Sequence, residues 1–294
     1  MTNGHKITDK LAEIHGNEDF NIAFLPYKRS MWSSMKSVYE SCKNAHIYPL
    51  PYYLINHKGL VERLAKDNFD NAEDIKTLKK ADFLVIHYPY DSHNAVTQML
   101  PQYYIRNLKR FGKVIYIPYA QVGLDFLWNQ PGLGYVDYVF LNTEEDSERF
   151  KALWKSKGVD FEGRVFGLGS PKLDIKAEGE TILDSVIVAS SLMAFLLNPT
   201  ERIQKWKENI NAELSKGKTV TFRPHPLLFQ TIKAMRLEMM QKYMNFIDSI
   251  RADGVKVDLS EDLEKALSVH EYLISDPSSI VGMWEALGKP YKII

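Results

Sequence analysis

Residues 219–230, TVTFRPHPLLFQ, form a short β-rich run that ends in an arginine and a histidine set between two prolines. The first four residues have the β-branched and aromatic composition of a strand. Neither proline can continue a central strand, because proline donates no hydrogen bond to a ladder. Arg223 and His225 therefore stand where a strand stops, which in open α/β sheets is the edge where ligands bind.

This pair of side chains predicts phosphate binding. The planar guanidinium of Arg223 suits phosphate oxygens, and the imidazole of His225 titrates near neutral pH. The alternative is a turn in which Arg223 pairs with a nearby carboxylate.

Length and composition narrow the class of protein. The 294 residues are enough for two domains of ordinary size, and 45% hydrophobic with 25% charged residues is typical of a globular protein. The 37 basic and 37 acidic residues give a net charge of zero. No overall field recruits nucleic acid or an anionic membrane, so an anionic ligand must be held locally and no nucleic-acid partner is expected.

The cellular setting follows from cysteine content and hydropathy. Cys42 is the single cysteine, which excludes an internal disulfide and a cysteine-based zinc cluster. Residues 1–20 lack the apolar core of a signal peptide, and no run approaches the roughly 18 apolar residues of a membrane span. We expect a cytoplasmic protein, and peripheral contact with the inner face of the cell membrane is compatible with this. No oligomeric state is indicated.

Strand-like and helical runs alternate along the chain, which predicts an α/β fold with parallel sheets and helices on both faces. Glycine and proline content rises near residues 165–180, so we divide the chain into domains of residues 1–165 and 166–294. One long helix is expected over residues 230–250. The strand-like runs are residues 21–26, 82–89, 113–119 and 138–142 in the first domain, and 185–190, 219–222, 255–259 and 271–276 in the second.

A second candidate site is LISDPSSIVGMWEALGKP, residues 273–290. A strand runs into Asp276, and Ser278 can cap a helix whose first turn exposes backbone N–H groups and the positive end of the dipole. With the hydroxyl groups of Ser278 and Ser279, this helix start is suited to an anion. An ordinary capping serine is the alternative.

Two further stretches carry polar groups after strands of the first domain. In HYPYDSHN, residues 87–94, His87 could act as a general base that Asp91 orients. In FLPYKRSMWSSMKSVYES, residues 24–41, Lys28 and Arg29 precede a helix and could hold a phosphate or an acidic acceptor. Each stretch could also be an ordinary polar loop.

Nothing in the sequence indicates a bound cofactor. It contains neither a Gly-x-Gly-x-x-Gly nor a Walker A motif, which removes the main support for a dehydrogenase or a P-loop protein. It also lacks the Asp-x-Asp pair that would indicate a metal-bound nucleotide. We therefore expect neither a metal nor another cofactor.

Three segments in this order, FGLGSPKLD (166–174), TFRPHP (221–226) and LISDPSSI (273–280), resemble the C-terminal half of the CDP-glycerol glycerophosphotransferases of teichoic acid synthesis. Residues 24–41 look like a branch of the same superfamily. The resemblance implies a GT-B type fold, in which two Rossmann-like domains face a cleft. It makes residues 1–165 the acceptor side and residues 166–294 the nucleotide-donor side.

The resemblance also implies roles for single residues. His225 would meet the donor phosphate or activate the transfer, beside Arg223. Ser278 and Ser279, with Asp276, would bind the donor diphosphate. The segment between the domains would add further substrate contacts, from Gly169, Ser170 and Lys172.

Two departures from the family pattern matter. Lys172 stands where the family usually has arginine. No histidine follows the strand VIYI, residues 114–117, where the family's polymerases carry the histidine that would be the acceptor base. His87 is therefore our predicted acceptor base, with His225 as the second catalytic residue.

The function implied is a phosphotransferase of cell-wall or capsule synthesis. It would move glycerol phosphate or a similar polyol phosphate from a CDP-linked donor to a glycopolymer or its lipid-linked precursor. Two alternatives remain: a GT-B nucleotide-sugar glycosyltransferase or related enzyme, and a non-catalytic nucleotide-binding partner.

Overall fold

The chain folds into two α/β units. A computed structural model describes residues 1–91, 96–121, 123–177 and 179–294. The first unit comprises Met1–Leu54 and Val61–Asp174, and the second comprises Ile55–Leu60 and Ile175–Ile294. None of the helices in the described ranges is long and apolar enough to cross a membrane.

The first unit is built on a six-stranded parallel sheet in the order β2-β1-β5-β7-β8-β9. The parallel pairs set Ile22 opposite Phe83, and Ile86 opposite Tyr116. The strands of this unit are β1 (Asn21–Phe24), β2 (Asn44–Ile47), β3 (Tyr52–Ile55), β4 (Val61–Ala65), β5 (Phe83–Ile86), β6 (Thr97–Met99), β7 (Lys113–Tyr116), β8 (Tyr138–Leu141) and β9 (Val165–Gly167).

Four of these strands, β1, β5, β7 and β8, lie in the runs that the sequence predicts as strands. The two edge strands, β2 and β9, do not stand out in the sequence because β2 is largely exposed and β9 has only three residues. The predicted domain boundary at residues 165 and 166 falls inside β9, which pairs with β8. The chain enters the second unit at Ile175.

A small sheet in the order β4-β3-β6 is built from two insertions, with β3 and β4 between β2 and β5, and β6 between β5 and β7. The pair β3–β6 is antiparallel, with Tyr52 opposite Met99. The pattern of alternating strands and helices does not predict this sheet, because β4 is almost wholly exposed and β6 is three residues long.

The helices of the first unit are α1 (Asn3–His15), α2 (Lys36–Ser41), α3 (Ile105–Leu108), α4 (Leu124–Trp128) and α5 (Glu144–Lys155). Thr2 caps α1 through a hydrogen bond from His5 N, and Gly16 ends it in the left-handed region at φ 82°. Ile7 and Leu11, one turn apart, bury one face of α1 against the sheet core, with side chains of α2 and of β1, β5 and β7.

The second unit is a five-stranded parallel sheet in the order β12-β11-β10-β13-β14. Its strands are β10 (Ser185–Ala189), β11 (Thr219–Arg223), β12 (Lys256–Val257), β13 (Tyr272–Ser275) and β14 (Tyr291–Ile293). Its helices are α6 (Leu192–Leu197), α7 (Pro199–Leu214), α8 (Leu228–Met235), α9 (Met240–Ala252), α10 (Leu263–Ser268) and α11 (Ser279–Ala286).

Helices cover both faces of this sheet, as the sequence predicts. One core joins Val188 and Phe222 of the strands to Phe195, Trp206 and Phe246 of the helices α6, α7 and α9. A second core joins Ile187 and Leu273, whose side chains alternate to the other face, to Trp284 of α11. The α/β fold with parallel sheets and helices on both faces is thereby confirmed.

The predicted long helix over residues 230–250 is wrong. It is two helices, α8 and α9, with a short 3-10 turn at Leu237–Met239 between them. Arg236 breaks the run with φ −140° and ψ 44°. The apolar periodicity of residues 230–250 continues through the break, because both helices pack on the same core.

Asp174 ties the start of α1 to the end of the first unit. Its two carboxylate oxygens accept hydrogen bonds from Asn3 N and Gly4 N, each at 2.8 Å, and from Ser37 Oγ at 2.6 Å. A carboxylate at a helix start also interacts favourably with the helix dipole. One side chain thus joins α1, α2 and the segment that ends the unit.

We predict that Asp174→Ala lowers the free energy of unfolding by about 2–4 kcal/mol, since three donors lose a charged acceptor. Urea titration followed by circular dichroism measures this. Asp9→Ala, on the exposed side of α1, is the matched control and should change stability by less than about 0.5 kcal/mol. Equal effects of the two substitutions would contradict the role assigned to Asp174.

Candidate functional site

Strand order locates a candidate site in the second unit. β10 is central: the chain passes from it to β11 and β12 on one side, then returns to β13 and β14 on the other. In such sheets ligands bind at the carboxyl ends of the strands where the order reverses. We call residues 190–191, 224–227 and 276–279, which follow β10, β11 and β13, the second-unit edge.

His225 is held firmly at the second-unit edge. Its backbone N donates to Ser190 Oγ at 2.8 Å, and its Nδ1 accepts a hydrogen bond from Leu227 N at 3.1 Å. A backbone amide can only donate, so Nδ1 carries no proton in this arrangement. The neutral ring therefore has its proton on Nε2, where it is a donor suited to a phosphate oxygen.

Arg223, by contrast, uses its guanidinium inside the protein. The residue is 3% exposed, and Nη1 donates to Asp258 Oδ2 and, at 3.1 Å, to Ser260 Oγ. Nη2 donates to Ser260 O at 2.8 Å. The structure thus pairs Arg223 with a nearby carboxylate, and a phosphate contact would have to replace these bonds.

The pKa of the Asp258 carboxyl group reflects this pairing with Arg223. Burial raises the pKa of its carboxyl group, but the hydrogen bond from Ser260 N and the positive charge of Arg223 outweigh burial and lower it overall. Asp258 is thus ionised at neutral pH, and the ion pair ties the end of β11 to the segment after β12.

Asp276 is a fully buried hub. One oxygen accepts hydrogen bonds from Ser191 N at 2.8 Å and Trp206 Nε1 at 3.0 Å, and the other accepts from Arg202 Nη1 at 2.8 Å. This carboxylate connects β13 with the loop after β10 and with α7. Its contacts are those of a side chain that shapes the edge rather than one that meets a ligand.

The start of α11 keeps its capacity for an anion. Ser278 precedes the helix in an extended conformation, and its side chain makes no capping hydrogen bond to the helix. Its Oγ lies 3.4 Å from Ser275 Oγ, and Ser278 and Ser279 are half-buried. The positive end of the helix dipole and two hydroxyl groups therefore meet at the second-unit edge.

The first unit has its own switch point, between β1 and β5. The chain passes from β1 to β2 on one side and later to β5 on the other. We call residues 25–29 and 87–91, which follow these two strands, the first-unit edge. Four predicted site residues lie at the first-unit edge: Lys28, Arg29, His87 and Asp91. The other three predicted site residues of this unit, Gly169, Ser170 and Lys172, lie outside the edge.

His87 is fully buried at the first-unit edge. Its Nε2 accepts a hydrogen bond from Tyr27 N at 3.0 Å, and its Nδ1 lies 3.2 Å from Ser34 Oγ. Burial lowers the pKa of His87 to about 3. So weak a base with both nitrogens engaged needs a different arrangement of this loop to accept a proton from a substrate.

Asp91, which the sequence predicts to orient His87, bonds to a different group. Asp91 Oδ1 accepts a hydrogen bond from Ile105 N at the start of α3, and burial raises the pKa of the Asp91 carboxyl group. Tyr27 and Ser34, rather than Asp91, orient the imidazole. The second histidine of this stretch, His93, lies outside the described residues.

Lys28 and Arg29 are matched by carboxylates of the segment after β4. Lys28 Nζ donates to Tyr52 OH, which donates in turn to Asp67. The other oxygen of Asp67 accepts a hydrogen bond from Arg29 N at 2.9 Å, and Arg29 Nη2 lies 3.1 Å from Asp70 Oδ2. Arg29 begins a short 3-10 helix, Arg29–Ser34, which precedes α2. The protein itself thus supplies the anion that the sequence predicts at this helix start.

The segment of Gly169, Ser170 and Lys172 packs within the first unit. Ser170 O accepts a hydrogen bond from Asn3 Nδ2 at 3.0 Å. Gly169 has φ 95°, and a Cβ there would come within 2.2 Å of Asn3 Oδ1. Lys172 is buried, donates to Tyr119 O at 3.1 Å, and has a pKa that burial lowers to about 8.

Sequence reasoning missed two kinds of residue. Ser190 and Ser191 follow β10 directly, and the signal was there: a strand run that ends in two serines, as after β13. Asp67 and Asp258 carry no local signal, since only long-range packing brings them to the basic side chains. Among the described residues, no cluster of three or more histidine, cysteine or acidic side chains is arranged to hold a metal.

Comparison with known proteins identifies solved structures with a similar fold. No family model and no curated protein matches the chain. Among solved structures it is similar to the wall teichoic acid polymerase TagF with CDPG, at 16% identity and a TM-score of 0.51, over 93% of this chain and 69% of that one.

It is also similar to UDP-GlcNAc 2-epimerase from Methanocaldococcus jannaschii in complex with UDP-GlcNAc and UDP. Identity is 15% and the TM-score 0.54, over 92% of this chain and 83% of that one. Identities this low establish the fold alone. The two Rossmann-like units are of the GT-B type.

We predict that Arg223→Gln lowers the free energy of unfolding at pH 7 by about 3 kcal/mol, because it leaves Asp258 charged and poorly paired. The stabilising effect of the lowered Asp258 pKa is complete above the unfolded value of about 4. It is lost as pH falls through the lower folded value. The gap between variant and wild type should therefore shrink from pH 7 to pH 3.

Urea midpoints at the two pH values measure this gap. Arg149→Gln, which breaks an exposed pair with Asp125, is the control and should cost less than about 1 kcal/mol. A gap that stays constant with pH would show that the ion pair is not what Arg223 contributes.

Proposed function

We propose that this protein transfers glycerol phosphate or a similar polyol phosphate from a CDP-linked donor to a cell-surface glycopolymer or its lipid-linked precursor. The observation that carries the proposal is the second-unit edge. There His225 and the start of α11 follow the carboxyl ends of β11 and β13, the two parallel strands that flank the central strand β10. The proposal makes the chain an enzyme, a phosphotransferase, that acts on the cytoplasmic side of the membrane.

The donor diphosphate suits this edge chemically. The first turn of α11 offers backbone N–H groups and a positive dipole, and Ser278 and Ser279 add hydroxyl donors. His225 adds an Nε2–H donor on the loop after β11. These groups can neutralise a departing nucleotide without a metal ion, because their donors are in place before the reaction.

The assignment of CDP and a polyol rests on the sequence motifs and on the shared fold. The segments TFRPHP and LISDPSSI resemble the CDP-glycerol glycerophosphotransferases, and the fold is shared with TagF, whose structure was determined with CDPG. Arg223 and Asp276 serve this site by holding its loops, through Asp258 and Arg202 respectively.

The acceptor hydroxyl must lose its proton during transfer. His225 cannot take this proton while its Nδ1 accepts from Leu227 N and its Nε2 carries a proton. We therefore assign His225 to the donor phosphate, and the proton of the acceptor hydroxyl passes to a phosphate oxygen of the departing nucleotide. His87 instead holds the loop of Tyr27 and Lys28 in place through the hydrogen bond from Tyr27 N. The remaining predicted site residues then affect the substrate only indirectly, by maintaining the shape of the first unit. They are Lys28, Arg29, Asp91, Gly169, Ser170 and Lys172.

The test is calorimetric titration with CDP-glycerol, CDP-ribitol, CMP, UDP-GlcNAc and UDP. We expect a CDP-polyol to bind most tightly, and Ser278→Ala and His225→Ala each to weaken it about tenfold or more, the effect of losing one hydrogen bond to a charged group. Ser215→Ala is the matched control, because Ser215 is exposed and follows α7, ahead of β11 and so at the opposite end of the sheet from these loops.

A CDP-polyol that binds the wild type and both active-site variants equally would contradict the site. Absence of binding by every nucleotide would contradict the function. Binding of CDP-polyol without release of CMP in the presence of acceptor extracts would instead support the non-catalytic binding partner.

A second candidate is an enzyme of nucleotide-sugar chemistry. It is favoured by the likeness to UDP-GlcNAc 2-epimerase, which covers 83% of that chain. Tighter binding of UDP-GlcNAc and UDP than of any cytidine nucleotide in the same titration would select it.

A further inference from the structure

Three tyrosine side chains lie close together in the first unit, at the carboxyl ends of the neighbouring strands β5 and β7. Tyr116 is the last residue of β7, opposite Ile86 of β5, and Tyr119 follows in the loop after β7. Tyr90 lies in the loop after β5, and its hydroxyl oxygen is 3.1 Å from that of Tyr119. We call these three tyrosines, together with Phe126 of α4, the aromatic cluster.

Two polar groups at this strand end are buried without a partner. In the part of the chain that the structure describes, nothing forms a hydrogen bond with the hydroxyl group of Tyr116 or with the side-chain nitrogen of Gln121, two residues after Tyr119. A buried donor that is left unpaired costs free energy, and folded proteins satisfy nearly all such groups. Two of them beside one strand end therefore indicate a place that receives a polar ligand.

The pair of Tyr90 and Tyr119 adds a third donor. A phenol hydroxyl carries one proton, so the hydrogen bond between these two hydroxyl groups uses only one of their two protons. The other proton can be donated to a ligand oxygen. With Tyr116 and Gln121, the strand end thus offers three donor groups that carry no charge.

The ionisation of the phenols decides which ligand they suit. Burial raises the pKa of Tyr90, Tyr116 and Tyr119, so all three are neutral at physiological pH. Lys172 donates to the backbone oxygen of Tyr119 at 3.1 Å and thereby fixes this loop. A phosphate is best held by charged donors, whereas neutral phenol and amide groups match the hydroxyl groups of a ligand.

Phe126 supplies an exposed aromatic ring beside these donors. It is 65% exposed, and its ring centroid lies 6.4 Å from that of Tyr90 at an interplanar angle of 49°. Tyr90 thus has Phe126 beside its ring and Tyr119 at its hydroxyl group, so one small ligand can meet both. The face of an aromatic ring is partially negative, and the C–H groups of a sugar ring can pack against it. Aromatic rings with a few fixed polar groups are typical of small-molecule sites.

We propose that the aromatic cluster binds a neutral sugar ring, which packs on Phe126 and whose hydroxyl groups accept hydrogen bonds from Tyr116 and from the Tyr90–Tyr119 pair. In the proposed reaction such a ring would belong to the glycopolymer acceptor, and to that extent the inference rests on the proposed function. The site itself stands on the unpaired donors and on the exposed ring beside them.

The test is saturation-transfer NMR of the full chain with methyl glucoside and methyl N-acetylglucosaminide, and with glycerol phosphate and cyclohexanol as competitors that are not sugars. We expect transfer to the ring protons of at least one glycoside, and no displacement of it by either competitor. Phe126→Ala should weaken glycoside binding about tenfold and Tyr116→Phe about fivefold, the effects of losing a packed ring and one neutral hydrogen bond.

Two control variants match these substitutions. Phe229→Ala removes a ring that is 51% exposed in the second unit. Tyr39→Phe removes a phenol hydroxyl from the core that contains Ile115, on the face of the sheet opposite to Tyr116. Neither control should change glycoside binding.

Urea titration gives a readout that a structural hydroxyl group would not give. Tyr116→Phe should leave the midpoint of unfolding unchanged or raise it, because the substitution removes a buried hydroxyl group that has no partner. Titration of each variant with the CDP-polyol measures the donor site separately, and Tyr116→Phe and Phe126→Ala should leave that binding unchanged.

Three results would overturn the inference. Neither glycoside could bind the wild type, or glycerol phosphate or cyclohexanol could displace the glycoside, which would show that the cluster receives an anion or an apolar group. Tyr116→Phe could also lower the midpoint of unfolding, which would show that its hydroxyl group is paired inside the protein. Glycoside binding without any nucleotide binding would contradict only the proposed reaction, and the reverse would contradict only the sugar site.

Discussion

Parallel pairing is the constraint on which both candidate edges depend. When strands run in one direction, the loops that follow them emerge at one edge, however far apart they lie in the sequence. In the second unit this brings together residues 190–191, 224–227 and 276–279, which belong to β10, β11 and β13. In the first unit it brings together the loops after β1 and β5. Loops can supply chemistry at these points because the strands beneath them are buried and rigid.

The charged residues of the motifs mostly shape these loops. A buried charge is tolerated only when it is paired and hydrogen-bonded, so Arg223 and Asp276 each collect several partners. Their partners come from other elements, and the pairs therefore fix the loops to one another. A motif can thus be necessary for a site although only some of its members, here His225 and Ser278, stand where a ligand could meet them.

The sequence predicts the central strands well because a strand buried on both faces is a continuous apolar run. It does not predict β2, β4, β6, β9 or β14, which are exposed or very short, nor the four-residue strand β3. For the site, it predicts which residues follow strand ends but not what those residues contact. Asp67 is 38 residues from Arg29, Asp258 is 35 from Arg223, and Arg202 is 74 from Asp276. Such pairs are set by packing, which leaves no local pattern.

The two edges differ in one respect that bears on where an anion binds. At the first-unit edge, the N–H of Arg29, at the start of the 3-10 helix Arg29–Ser34, already meets the carboxylate of Asp67. At the second-unit edge, α11 begins without a side-chain cap from Ser278, and β13 lies beside the central strand where the order reverses. A helix start that already meets a carboxylate gains less from a ligand phosphate than one whose N-cap side chain makes no such bond. This difference is the physical reason for placing the proposed donor diphosphate at the second-unit edge.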